Sequence, residues 1–200
     1  MRSIIFKAFL FFNLLALLFF LGNRNVSGSI TEFYVFKDFD SEANHFLKVE
    51  KMGDHDSISY REDLNNPSPK DGSSLEVIYG PHGYETHNSS SMSWVVSEDE
   101  PKGRYDLSGA KRLVFYARGK YGGEIVQFNI GSIGVGSQRL STASSGPIVL
   151  SDKWREYSID LEGLNLANTT MGFSIELNRF DNPDGAVFYL DEIRYEFWDL

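Results

Sequence analysis

The chain has 200 residues, 42% hydrophobic and 14% aromatic, enough to bury the core of one all-β domain. It holds no cysteine, which excludes disulfides, thiolate zinc sites and cysteine nucleophiles. A formal charge of −9 repels nucleic acid and anionic lipid surfaces, and leaves neutral glycans and divalent cations as natural partners.

The first 28 residues stand apart. Arg2 and Lys7 give a basic start, Ala8 to Leu21 is an almost unbroken apolar run of 14 residues, and Val26-Ser27-Gly28 ends in small residues. This is the layout of a secretory signal peptide. The run is short of the roughly 20 residues that span a bilayer, and an uncleaved membrane anchor is the alternative. Removal of residues 1–28 takes away Arg2, Lys7 and Arg24 and moves the formal charge from −9 to −12. Residues 29–200 then form one secreted or extracytoplasmic domain, in which Asn88-Ser89-Ser90 and Asn168-Thr169-Thr170 are N-glycosylation sequons.

From there on, runs of aromatic and β-branched residues alternate with Gly, Asn, Asp, Ser and Pro clusters, the strand signature. Predicted strands cover 33–39, 57–62, 75–80, 91–97, 112–119, 124–131, 146–150, 154–161, 171–178 and 186–197. Beyond the leader no segment keeps apolar residues at helical spacing over three turns. The pattern predicts an all-β antiparallel sandwich.

Alternation along 112–119 puts Leu113, Phe115 and Ala117 toward the core and Tyr116 and Arg118 outward. Lys120-Tyr121-Gly122-Gly123 reads as a hairpin turn, so 124–131 becomes the partner strand, with Gln127 and Asn129 outward beside Tyr116 and Arg118. By the same logic 171–178 buries Met171, Phe173, Ile175 and Leu177 and presents Ser174, Glu176 and Asn178. One sheet face would then carry an aromatic ring, a guanidinium, amides and a carboxylate. Sugar hydroxyls need such donors and acceptors while the C–H face of the ring stacks on aromatics. An ordinary solvated face of an antiparallel sheet has the same pattern. Trp94 is a further ligand-binding candidate, although Met92, Trp94 and Val96 also form a plausible buried stripe. Trp154 reads as a packing residue at a strand start, and Tyr60, Tyr84 and Tyr121 could rim a site.

The segments DLSGAKRLVFYARGKYGGEIVQFNIG (106–131), SDKWREYSIDL (151–161) and NPDGAVFYLDEIRYE (182–196) resemble the jelly-roll carbohydrate-binding modules of the broad galactose-binding-like group. The resemblance runs from about Tyr34 to Phe197. It implies a jelly-roll β-sandwich binding a poly- or oligosaccharide on a sheet face or its bordering loops. It also implies a structural calcium where the first and last strands meet, held by Asp191 with Asp38 or Asp40 and by backbone carbonyls. Decoration of a sheet edge by these acids is the other reading.

Enzymatic readings find little in the chain. ELNRFD and DEIRYE do not match the E-x-D-x-x-E arrangement of jelly-roll glucanases, and there is no G-x-S-x-G elbow. His45, His55, His82 and His87 lack metal-ligand spacing. A Glu176 and Asp191 pair stays open as a glycan-acting hydrolase or lyase. The expectation is a non-catalytic glycan binder. The alternative is a structural or adaptor sandwich that binds a protein partner, as in relatives resembling the complex I intermediate-associated type.

Overall fold

The computed structural model describes residues 30–65, 69–70, 72–81, 88–97, 99, 103–131 and 141–198. The expected signal segment with its expected cleavage point, and the segment 82–87 with His82, Tyr84 and His87, lie outside the described residues. Eleven strands form among those described: β1 (Thr31–Phe36), β2 (Lys48–Gly53), β3 (Ile58–Asp63), β4 (Ser74–Tyr79), β5 (Ser89–Val95), β6 (Arg112–Gly119), β7 (Ile125–Gly131), β8 (Thr142–Val149), β9 (Arg155–Asp160), β10 (Met171–Asn178) and β11 (Ala186–Phe197). The helical content of the same residues is one 3-10 turn, His55–Ser57. Sheet A runs β3-β4-β11-β6-β9 with β1 also on β11, and sheet B runs β2-β5-β10-β7-β8. Their pairings are antiparallel throughout, so the chain is the expected antiparallel β-sandwich.

Both sheets turn their apolar alternates inward. Phe115 of β6 meets Phe128 of β7 at 4.5 Å and Phe173 of β10 at 5.3 Å between ring centroids. These rings tie sheet A to sheet B, and each is wholly buried, a gain of about 1.5–3 kcal/mol per side chain. β11 keeps Phe188, Leu190, Ile193 and Tyr195 in the core. A bulge between Asp191 and Arg194, with Glu192 at φ 52°, shifts the alternation by one residue midway.

Three sequence expectations change here. β6 and β7 are not a hairpin: β6 pairs with β11 and β9, whereas β7 pairs with β10 and β8. The linker uses Gly122 (φ 81°) and Gly123 (φ 100°) to carry the chain across the core from one sheet to the other. β2, KVEKMG, is an unexpected strand at the edge of sheet B. Val49 alone packs on the core there, and the charges that hid the strand are what blunts a sheet edge. β1 ends at Phe36, so Asp38 and Asp40 follow the first strand rather than lie in it.

Candidate functional site

The outer face of sheet A is crowded with charge. Direct register sets Arg61, Glu76, Tyr189 and Arg118 side by side on β3, β4, β11 and β6. Arg61 donates to Glu76, and the Tyr189 hydroxyl donates to the same carboxylate at 3.3 Å. The Arg118 guanidinium lies 4.4 Å over the Tyr189 ring and 5.8 Å over Trp154. One row on, Tyr116 donates to Glu156 at 2.9 Å, and the Lys70 amino group stands 5.7 Å over its ring. Farther along, Arg194 donates to Glu32 (2.9 Å) and Glu196 (2.7 Å), and Arg112 donates to Glu196 (2.7 Å). Tyr34 donates to Glu32 and Glu192 beside a cavity of about 420 Å³. Burial raises the Tyr34 phenol pKa above its ordinary value, helped by its carboxylate partners, and burial does the same for Tyr116 and Tyr189. These phenols therefore stay protonated and serve as donors to the carboxylates. Glu76, Asp191, Glu192, Arg194 and Glu196 are buried although they point away from the core.

The outer face of sheet B is built differently. One row reads Pro147, Gln127, Glu176, Ser91 and Met52 across β8, β7, β10, β5 and β2. The next reads Ser144, Asn129, Ser174, Ser93 and Glu50. Four strand spacings make each row about 19 Å long. Serines in the middle strands leave a shallow trough, which continues into a groove of about 230 Å³ lined by Glu50, Met52, Ser93, Val95, Val96, Thr170 and Met171. The polar side chains here bond locally: Gln127 donates to Asn129 on its own strand at 2.9 Å, and the Asn178 side-chain Oδ1 accepts from Phe180 N at 2.8 Å. Phe180, just past the end of β10, is 69% exposed.

The residues predicted as one site thus divide between two faces. Tyr116 and Arg118 lie on sheet A, and Gln127, Asn129, Glu176 and Asn178 lie together on sheet B. Because β6 and β7 sit in different sheets with inward faces opposed, their polar alternates point to opposite sides of the sandwich. Trp94 faces the core at 4% exposure, against Phe173 at 5.8 Å. Met171, expected in the core, is half-buried at the groove because the β5–β10 register shifts between it and Phe173. Glu176 and Asp191 are on opposite faces and cannot act as a catalytic pair. Phe180 escaped the sequence reading. Its signal was an aromatic residue in the turn that directly follows β10.

The acids named for the calcium expectation differ in their surroundings. Asp38 Oδ1 accepts from Phe39 N (2.8 Å) and Ser73 Oγ (2.6 Å), Asp40 is exposed, and Asp191 is wholly buried. Among the described residues, no three His, Asp or Glu side chains group closely enough to hold a metal. Two carboxylates and backbone carbonyls would have to supply the six to eight oxygens that calcium takes.

The fold is that of the jelly-roll carbohydrate-binding modules. A family 11 module of a cellulosomal cellulase from Clostridium thermocellum superimposes with a TM-score of 0.60 at 15% identity, covering 86% of this chain and 97% of that one. A family 30 module of another cellulosomal cellulase of that organism gives 0.59 at 14% identity, covering 85% and 99%. A family 11 module in complex with a β-1,3-1,4-mixed-linked tetrasaccharide gives 0.55 at 15% identity, covering 87% and 98%. No family model matches the sequence, and no curated protein matches it.

Proposed function

We propose that the chain is an exported, non-catalytic carbohydrate-binding domain that lays a glycan across the outer face of sheet B. The observation that carries this reading is the contrast between the two faces. On sheet A the polar groups bond one another, whereas sheet B offers amides, hydroxyls and two carboxylates, Glu176 and the edge-strand Glu50, along a trough. Gln127, Asn129, Glu176, Asn178 and the serines Ser91, Ser93 and Ser174 supply donors and acceptors to sugar hydroxyls. Phe180 supplies a ring for the C–H face of a sugar at one end. The fold shared with modules of cellulosomal cellulases and the leader-like segment 1–28 both support export. N-terminal sequencing of the native protein, with a start near Ser29, tests that part.

The site is tested by a glycan array followed by calorimetry on the best ligand. Gln127→Ala and Asn129→Ala should each weaken binding by about 0.5–1.5 kcal/mol, the net worth of a neutral hydrogen bond. Tyr116→Ala, on the opposite face, should leave affinity unchanged. The reverse result would move the ligand to sheet A. Silence on the array, together with a protein that co-purifies from the native source, would favour the adaptor reading.

A further inference from the structure

Resting on that placement of the glycan, we infer that Glu176 makes the face select by charge, accepting neutral and amino-substituted glycans and rejecting those that bear uronate or sulfate. The three inner strands of sheet B, β5, β10 and β7, contain no lysine or arginine and a single acid, Glu176. Its side chain sits mid-row between Gln127 and Ser91 and is half-buried. The nearby cations stand at the margins of the face, one on the edge strand and one beside Phe180 past the end of β10. Lys48, on the edge strand β2, pairs with Glu50 at 3.0 Å, and the Arg179 guanidinium lies 5.5 Å from the Phe180 ring centroid.

An ionised carboxylate only accepts hydrogen bonds. A sugar hydroxyl can donate to it, and an ammonium can donate and also neutralise it. A uronate or sulfate group offers acceptors and a like charge, and no arginine or lysine in the inner strands offsets the repulsion. Arg118 and Arg61 are on sheet A, and Lys70 stands over Tyr116 on that same face. The lining of sheet B thus acts as a filter through what it lacks as much as through Glu176 itself.

The test uses calorimetry on the exported protein with three cello-oligosaccharides of equal length: unmodified, amino-substituted at C2, and oxidised to the uronate at C6. For the wild type the neutral and amino forms should bind, and the uronate should bind at least about tenfold more weakly. Added salt should narrow that gap, since part of it is a screened repulsion on a half-exposed face. In Glu176→Gln the ratio of uronate to neutral affinity should close to within about threefold, whatever happens to neutral affinity itself. A wild type that takes the uronate as tightly as the neutral chain overturns the filter and leaves the glycan face standing. So does a gap that ignores both salt and the substitution. Failure of all three probes to bind overturns the face and the filter together.

Discussion

Arg194 gives the most direct test of whether the outer face of sheet A is a structural network. Its side chain is 8% exposed and serves Glu196, itself 2% exposed, at 2.7 Å, with Glu192 at 4.0 Å and 10% exposure. Replacement by Met keeps much of the apolar stem and removes the charge. Glu196 would then keep Arg112 as its partner, and Glu192 would lose its nearby cation. Leaving a buried carboxylate without its counter-charge costs about 3–5 kcal/mol. Glu32 is 38% exposed and adds little. For a domain of this size each kcal/mol is worth roughly 2–4 °C, so the melting temperature should fall by about 6–20 °C. Thermal denaturation followed by circular dichroism reads this directly. The double variant Arg194→Met with Glu192→Gln should recover part of the loss, because the orphaned charge is gone. A drop of under about 2 °C, or a double variant no better than the single, would show that water screens the network. Glycan affinity measured well below the melting point should be unaffected, and its loss at normal stability would place the ligand on this face.

Phe180→Ala should cost about 1–3 kcal/mol of glycan affinity, the usual worth of an aromatic platform. Stability should stay within about 0.5 kcal/mol because the ring is mostly in solvent, and equal dissociation constants for the two proteins would remove Phe180 from the site. For the calcium expectation, a cation at 100 times its dissociation constant adds about 2.7 kcal/mol. Chelation should therefore lower the melting temperature, and Asp191→Asn should abolish that response. A melting curve that chelator leaves unmoved assigns Asp38 and Asp191 to the fold without a metal.

What the sequence makes legible follows from period and burial. β6, β10 and β11 are read with their boundaries intact, because each is a run rich in aromatic and aliphatic residues bordered by turn residues. Leu113, Phe115 and Ala117 are wholly buried as alternation requires. β2 hides because an edge strand buries little and carries charge. The β6–β7 connection hides for a deeper reason. Two alternating strands joined by a glycine-rich link can close as a hairpin or arch across the core, and the inward residues are the same in both. Only the non-local pairing with β11 and β10 distinguishes them, and no local pattern encodes it. The same ambiguity divides the predicted site, since a hairpin would have set Gln127 beside Arg118.

Side-chain reach explains why two faces of similar polarity are suited to different work. Neighbouring strands are about 4.8 Å apart, a gap that arginine, glutamate and tyrosine cross readily. On sheet A such residues stand opposite one another, Arg61 by Glu76 and Tyr116 by Glu156, and they consume each other's hydrogen-bonding capacity. Serine is too short to do so. Ser174 faces Ser93 directly across β10 and β5 without a bond between their hydroxyls among those formed by the described residues, and Gln127 turns along its own strand to Asn129. Short side chains at the centre and longer ones beside them leave both a trough and unspent donors and acceptors. A ligand rich in hydroxyls gains most from such a surface, because it brings its own reach to groups that cannot satisfy one another.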